Sequence, residues 1–199
     1  MHILLGLGNP GPKYAETRHN VGFALADRLV EDAGPAGSPG SWKSEGKSHT
    51  RKLDLGGHPV LVAKPQTFMN LSGEAARALL DFYKVPPSRL VVVVDEIYLD
   101  LGAIRIRSKG GAAGHNGLKS LIAHCGEDFV RIRIGVGPCP AHMDKADFVL
   151  GRYNKSDAKD LEPVFACFRD LVETGVSRGW ERAGSDFNRG AAARGGDAG

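Results

Sequence analysis

The sequence predicts a single α/β domain in which helices sandwich a mixed, twisted β-sheet. The chain has 199 residues, 42% of them hydrophobic, which is enough for one domain with a substantial core. Segments with strand-like and helix-like periodicity alternate along it. Residues 90–94 are apolar without alternation, as in a strand covered on both faces, whereas residues 105–107 and 131–134 alternate and should expose one side.

The individual elements follow from hydrophobic periodicity. Strands are predicted at residues 3–6, 50–55, 59–63, 90–94, 103–107 and 130–136, and helices at 21–30, 73–82, 118–124 and 157–176. Gly57-His58-Pro59 is expected to turn a hairpin, and Pro163 to kink the last helix or begin a new one. Composition predicts a loop at 33–41 and a disordered tail at 189–199, so the domain spans residues 1–188.

Composition also bounds the cellular setting. The three cysteines, Cys125, Cys139 and Cys167, form no C-x-x-C pair and no even disulfide framework, as expected in a reducing compartment. No apolar run is long enough to span a membrane, and Met1 leads directly into a strand without an export signal. We therefore expect a cytoplasmic protein that does not bind membranes.

Positive charge is concentrated in one segment. The whole chain carries a net charge of +3, yet residues 103–133 contain only two acidic side chains against six basic ones, which are Arg105, Arg107, Lys109, Lys119, Arg131 and Arg133. Such a cluster predicts either a local surface for a polyanion such as nucleic acid or an ordinary solvated face. Charge alone does not decide between the two interpretations.

A glycine loop follows the first strand. Gly6-x-Gly8-x-x-Gly11 matches the dinucleotide fingerprint in its letters. However, Pro10 and Pro12 favour an extended or turn conformation where a nucleotide fold opens a helix. The acidic residue at the right distance, Asp32, lies in a helical pattern rather than at a strand end. We prefer a tight strand-to-loop turn over a nicotinamide site and expect no cofactor.

His19 and Asp95 are the candidate catalytic pair. His19 opens the first helix and Asp95 ends the valine-rich strand, so the two could meet beyond the carboxyl edge of the sheet. A carboxylate that accepts a hydrogen bond from one imidazole nitrogen leaves the other nitrogen to take a proton. The sequence has no Gly-x-Ser-x-Gly elbow, no cysteine in an activating context and no metal-ligand spacing, so attack by water is the chemistry that remains. The alternative is a histidine with a purely structural role.

Three asparagines and a glycine tract support that interpretation. Asn9, Asn70 and Asn116 each lie in a Gly-, Pro- or Met-bearing loop, where an asparagine commonly serves as a turn or a helix cap. Together with His19 they could hold a peptide backbone and stabilise an oxyanion without adding charge. Residues 108–120 form a glycine tract that ends in a helix start flanked by lysines, which could seat a phosphate or be a mobile loop without a ligand.

These segments together resemble the bacterial peptidyl-tRNA hydrolases over about residues 3–188. The family pattern G-L-G-N-P-G, then T-R-H-N-x-G, appears at residues 6–11 and 17–22. K-P-x-T-F-M-N-x-S-G appears at 64–73, an Asp-Glu pair at 95–96, and G-G-x-x-G-H-N-G-L-K-S at 110–120. Four motifs in order are specific. The resemblance implies hydrolysis of the ester that joins a peptide to the 3′ ribose of tRNA.

The resemblance also implies roles for single residues. His19 matches the catalytic base and Asp95 the carboxylate that orients it. Five further positions match substrate-binding residues of the family. Asn9 and Asn70 match amides that hold the peptide and stabilise the reacting carbonyl, and Asn116 matches a loop asparagine that binds substrate and positions water. Tyr14 and Phe68 match aromatic residues that line the site, with Tyr14 near the tRNA 3′ end. Basic positions that face acceptor-stem phosphates correspond to Arg105, Arg107 and Arg133.

The chain departs from the family pattern in two loops. Tyr98 stands where the family often has a carboxylate and Asp100 where it has a proline, so the loop after Asp95 is expected to differ in shape. Ala112 and Ala113 replace the more usual Gly and His in the flexible loop. Besides a monomeric esterase without a metal, two alternatives remain: a non-catalytic RNA-binding protein on the same scaffold, and a peptidase or other amidohydrolase.

Overall fold

The computed structural model describes residues 1–192, which form one domain of seven strands and six α-helices around a single sheet. The strands are β1 (His2–Gly6), β2 (Lys43–Glu45), β3 (Ser48–Leu55), β4 (His58–Pro65), β5 (Leu90–Glu96), β6 (Ile104–Arg107) and β7 (Val130–Gly135). The helices are α1 (Val21–Gly37), α2 (Ser72–Tyr83), α3 (Asn116–Cys125), α4 (Lys145–Leu150), α5 (Lys155–Arg178) and α6 (Trp180–Ala192). Of the helices in this part of the chain, none has the length and apolar character that crossing a membrane requires.

The sheet is mixed, as the sequence predicts. Its strand order is β2-β3-β4-β1-β5-β7-β6, and the four central strands β4, β1, β5 and β7 run parallel. The hairpin of β3 and β4 adds an antiparallel edge, turned by Gly56 and Gly57 at positive φ, and β6 pairs antiparallel with β7 at the other edge. Because the four parallel strands point the same way, their carboxyl ends share one edge of the sheet.

Two hydrophobic layers cover the two faces of the sheet. In β5, Leu90, Val92 and Val94 pack with α2 and α3, whereas Val91 and Val93 pack with α1 and α5. All five side chains are buried. The unbroken apolar run therefore reflects a strand with a helix layer on each face, where each buried side chain contributes about 1.5–3 kcal/mol.

Two expectations about chain breaks need correction. No new helix begins at Pro163, because α5 continues through it, with Leu161 and Val164 buried in the core on either side. The carbonyl of Lys159, which loses its hydrogen-bond donor to the proline, belongs to an exposed residue. Helix α1 extends into the predicted loop as far as Gly37, with a kink at Gly34, where φ is 62°. Helix α6 is described as far as Ala192, and residues 193–199 lie outside the described part, so the domain boundary at 188 and the disordered tail stay predictions.

The glycine loop after β1 brings helix α1 close to the sheet. A Cβ on Gly6 would lie 2.2 Å from the Gly22 carbonyl oxygen, and one on Gly22 would lie 2.6 Å from the Val93 carbonyl oxygen. Helix α1 begins only at Val21, well beyond Gly11, whereas a dinucleotide site opens its helix within the glycine loop itself. The structure thus favours the turn interpretation, in which glycine permits close helix-to-sheet packing.

Candidate active site

The side chains singled out in the sequence converge where parallel strands end. Asn70 follows β4, Asn9 follows β1, and Asp95 lies at the end of β5. They surround a cavity of about 680 Å³. Six of the predicted site residues line the cavity, namely Asn9, His19, Phe68, Asn70, Asp95 and Asn116. His115, which precedes Asn116, lines it as well. The fold therefore brings together segments that are far apart in the sequence.

His19 and Asp95 form the predicted pair. His19 lies in a short 3-10 turn, Arg18–Asn20, just before α1, and its Nδ1 is 2.9 Å from Oδ1 and 3.0 Å from Oδ2 of Asp95. An ionised carboxylate can only accept, so Nδ1 carries the proton and donates it. In the neutral imidazole this leaves Nε2 of His19 as the unprotonated nitrogen, as a general base requires.

A second histidine also contacts Asp95. Nε2 of His115 is 2.9 Å from Asp95 Oδ1, and the backbone N–H of Leu118 donates to His115 Nδ1 over 3.3 Å, which caps helix α3. Because Nδ1 accepts, Nε2 must be the nitrogen that donates to Asp95. Sequence analysis missed this contact. The signal was the position of His115 directly before Asn116 in the glycine tract.

The charge of Asp95 is maintained by its two partners. Burial alone would raise the pKa of this carboxyl, because an ion loses solvation in the interior. The hydrogen bonds that His115 and His19 donate, together with their positive charge whenever they are protonated, outweigh that effect and hold the pKa of Asp95 well below its usual range. Asp95 is therefore ionised at neutral pH and remains an acceptor for both imidazoles.

Asn9 is held in one orientation by its neighbours. Its Oδ1 accepts from the backbone N–H of Met69 over 2.8 Å, while its backbone pairs with the side chain of Asn20 through two hydrogen bonds of 2.8 and 2.9 Å. A backbone N–H can only donate, so the atom facing Met69 is oxygen and the carboxamide nitrogen remains a donor. Asn9 thus offers N–H groups to a ligand in the cavity, with no rotation needed.

The other predicted binding residues differ in position. Asn70, in the 3-10 turn Met69–Leu71, and Asn116, the first residue of α3, are exposed and line the cavity, as does Phe68. Over residues 1–192 the lining does not include Tyr14, whose ring lies 5.5 Å from Lys13 Nζ in the loop after β1. A role for Tyr14 near the tRNA 3′ end stays a prediction.

The arginines of β6 and β7, which are Arg105, Arg107, Arg131 and Arg133, form two cross-strand pairs on one face of the sheet, called here the basic grid. Arg105 lies opposite Arg133 and Arg107 opposite Arg131. Arg105 and Arg107 are exposed. The side chain of Arg133 is only 13% exposed, because it forms an ion pair with Glu96 and donates to the Gly111 carbonyl over 3.0 Å.

Arg131 does not belong to the basic surface that its charge predicts. It is fully buried, its guanidinium lies 3.9 Å from the centre of the Phe129 ring, and it donates to the Phe129 carbonyl over 2.7 Å. Burial lowers the pKa of this guanidinium. The charge count of the segment therefore overstates its surface charge, since alternation along β7 is broken at this residue.

Arg18 connects the 3-10 turn of His19 to the helices beyond the cavity. Its guanidinium donates to the Arg152 carbonyl over 2.7 Å and to Asp157 Oδ2 over 2.9 Å, and it lies 4.7 Å from the centre of the Phe148 ring. Its backbone N–H donates to the Gly151 carbonyl over 3.0 Å. These contacts tie the residue next to His19 to α4 and α5.

A cation could also be held at this site. One ligand atom from each of His19, Asp95 and His115 lies within 4.8 Å of the other two. Imidazole nitrogen and carboxylate oxygen are the donors that Zn²⁺ accepts. The hydrogen bonds to Asp95 account for the same arrangement without an ion, so the expectation that no metal binds stays a prediction.

Comparison with known proteins gives one answer at three levels. The family model described as "Peptidyl-tRNA hydrolase" matches residues 3–194. A peptidyl-tRNA hydrolase of Lachnoclostridium phytofermentans is 44% identical over 193 residues, covering 95% of this chain and 97% of its own, and one of Streptomyces coelicolor is 42% identical over 193 residues, covering 94% of each. The crystal structure of peptidyl-tRNA hydrolase from Acinetobacter baumannii superposes with a TM-score of 0.87 at 29% identity, covering 94% of each chain. This chain belongs to the peptidyl-tRNA hydrolase family.

Proposed function

We propose that the protein hydrolyses the ester between a peptide and the 3′ ribose of tRNA, with His19 as general base. The observation that carries the proposal is the hydrogen bond from His19 Nδ1 to buried Asp95 at the edge of a cavity. Membership of the family and relatives of the same name over nearly the whole chain supply the substrate class. Release of the peptide frees the tRNA for reuse.

The reaction needs one imidazole and one water. Nε2 of His19 takes a proton from the water as its oxygen attacks the ester carbonyl carbon, and the carbonyl oxygen becomes an oxyanion. When the tetrahedral intermediate collapses, the bond to the ribose 3′ oxygen breaks and the imidazolium returns its proton to that oxygen. An alcohol leaves more readily than an amine, so a second acid is not required.

Asparagine side chains are suited to hold the reacting group. The carboxamide nitrogen of Asn9 is oriented as a donor by Met69, and Asn70 and Asn116 add further amides around the same cavity. A general base contributes about 10²–10⁴ in rate and one oxyanion donor about 10²–10³. We assign Asn9 and Asn70 to the peptide and its carbonyl, and Asn116 to substrate and water, with Phe68 as an apolar wall.

The basic grid is suited to the acceptor stem of the tRNA. Arg105 and Arg107 are exposed on the β6 edge, where phosphates can reach them. We include Arg133 as a weaker contact because Glu96 already neutralises it. One chain supplies every residue of the site, so we propose that the protein acts as a monomer, and light scattering of the purified protein tests its mass. We also propose that it acts in the cytoplasm.

The test is the release of tRNA from N-acetylated aminoacyl-tRNA by the wild type and by His19→Ala. We expect turnover to fall by about 10²–10⁴ with tRNA affinity unchanged, because His19 acts on water and not on phosphate. His142→Ala, at an exposed histidine, is the control. Full activity of His19→Ala would refute the mechanism.

The same experiment separates the two alternatives. A non-catalytic RNA-binding protein binds tRNA with a salt-dependent affinity and releases no peptide from the wild type. A peptidase or other amidohydrolase cleaves free N-blocked peptides and shows no salt-sensitive binding of RNA. The His19–Asp95 pair favours the esterase over the first alternative, because a binding protein does not need an oriented base.

A further inference from the structure

Tyr98 lies on the wall between the active-site cavity and a second, basic cavity. The second cavity measures about 430 Å³ and is lined by Arg105, Arg107, Lys109 and Arg133. Both cavities share Glu96, Tyr98 and Ala113 in their lining. A ligand that occupies both cavities at once must therefore pass along this wall.

The Tyr98 ring is exposed but held. The residue is 63% exposed, and Lys145 Nζ donates to its hydroxyl over 2.7 Å and lies 5.3 Å from its ring centre. The backbone N–H of Tyr98 donates to one carboxylate oxygen of Glu96 over 3.2 Å, and the other oxygen of Glu96 pairs with Arg133. Glu96, which also lines the basic cavity, thus holds the backbone of Tyr98, and Lys145 holds its ring.

An exposed aromatic ring beside a cationic groove is suited to unpaired nucleic acid. Phosphates follow the positive charges, and a nucleobase stacks on the ring, whatever its identity, because every base has a π-face. Single-stranded RNA ends are recognised mainly in this way. Lys145 adds a positive charge next to the ring, where the phosphate of a stacked nucleotide could lie.

We propose that Tyr98 is the stacking platform for an unpaired nucleobase in the 3′ strand of the tRNA substrate. This inference rests on the proposed function, which puts the reacting ester at His19 and the phosphates of the acceptor stem at the arginines. The nucleotides between those two points are unpaired and cross the wall where Tyr98 lies. Tyr98 would then select for a nucleic-acid leaving group over a simple ester.

Binding of an uncharged hairpin RNA with an unpaired 3′ strand tests the proposal without hydrolysis. The variants are Tyr98→Leu, which removes the ring, and Tyr98→Phe, which keeps the ring and loses the bond to Lys145. Phe82→Leu is the matched control, since Phe82 is 71% exposed and is not among the described residues that line either cavity. Each variant is titrated with the intact RNA and with RNAs that carry one abasic nucleotide in the unpaired strand.

We expect Tyr98→Leu to weaken binding of the intact RNA by about fivefold or more, and Tyr98→Phe and Phe82→Leu by less than about threefold. One abasic RNA should bind the wild type as weakly as Tyr98→Leu binds the intact RNA, with no further loss when the two changes are combined. Unchanged affinity of Tyr98→Leu, or an equal loss on every abasic RNA, would overturn the proposal.

Hydrolysis supplies a second, separate readout. KM for N-acetylated aminoacyl-tRNA should rise in Tyr98→Leu by the same factor as the dissociation constant, whereas kcat should change little because the ring does not contact His19. A KM effect that depends on the acyl group and not on the base would assign Tyr98 to the peptide and reject the stacking role. An inactive wild type would refute the proposed function, and the binding titration would still decide the role of Tyr98.

Discussion

Replacing Asp95 with asparagine removes the charge at the centre of the site and leaves the side-chain volume almost unchanged. The carboxylate accepts from His19 Nδ1 at both oxygens and from His115 Nε2 at Oδ1. Asparagine has one oxygen in place of two. Its amide nitrogen would therefore face an imidazole N–H about 3 Å away, or turn His19 to the tautomer in which Nε2 holds the proton.

The size of the effect follows from the lost charge. The carboxylate of Asp95 stabilises the imidazolium that forms in the reaction. With the centres of the two charges about 4 Å apart and an effective dielectric constant of about 20, their attraction is about 4 kcal/mol. That free energy corresponds to about 10³ in rate. Because His115 remains near His19 and cannot supply negative charge, we expect Asp95→Asn to reduce kcat by about 10²–10⁴.

Single-turnover deacylation of N-acetylated aminoacyl-tRNA measures the effect directly. The affinity for tRNA should stay within about threefold of the wild type, because buried Asp95 offers no phosphate contact. Asp81→Asn is the control, since Asp81 pairs with Arg77 on the exposed face of α2. A loss in kcat of less than about tenfold, with the variant folded, would refute the assignment of Asp95 as the group that orients His19.

Three further predictions concern charge, position and pH. Arg107→Ala should lower the slope of log affinity for tRNA against log salt by about 1, and Arg133→Ala by clearly less, because Glu96 neutralises Arg133. Arg18→Met should reduce kcat by about 10² with KM nearly constant, because the turn that carries His19 loses its anchors to α4 and α5, and Arg18→Lys should restore part of it. Burial, together with the nearby charge of Arg89, lowers the pKa of His2 to about 4. Because the unfolded chain therefore binds this proton more tightly than the folded protein does, protonation favours unfolding. The free energy of unfolding should fall by at most about 3 kcal/mol as the pH drops from 6.5 to 4.

Equal slopes for Arg107→Ala and Arg133→Ala would mean that Glu96 does not neutralise Arg133. A pH–rate profile of Arg18→Met identical to the wild type in shape and height would limit Arg18 to fold stability. Chemical denaturation of His2→Gln should lack the decrease between pH 6.5 and pH 4, and a decrease of the same size would assign it to another group.

Local patterns predicted most of the fold, and the errors have physical causes. The run Leu90-Val91-Val92-Val93-Val94 correctly indicated a strand covered on both faces, because its composition reports burial directly. The start of a new helix at Pro163 was wrong, because core packing on both sides outweighs one missing hydrogen bond. Arg131 was wrong as surface charge, because its guanidinium stacks on the ring of Phe129, two residues earlier in the chain, and donates to the Phe129 carbonyl.

The predicted site shows a similar division. The loop motifs identified His19, Asp95 and the three asparagines, whose residue types suit ester hydrolysis by water. The second histidine on Asp95 was missed, because its position before Asn116 in the glycine tract does not show that the start of α3 brings its imidazole to the carboxylate. Likewise, the pairing of Arg133 with Glu96 depends on the register of β5 and β7.

The amino-acid sequence by itself determined most of the elements, although not β2, α4 or α6, together with the residue types available for chemistry and the family that the chain resembles, because periodicity and motifs are local properties. Only the tertiary structure decided which nitrogen of His19 is free, which arginines reach solvent and where Tyr98 lies between two cavities. Those properties depend on distances between residues that are remote in the chain, and these are set by how parallel strands end at a common edge and how helices pack against them.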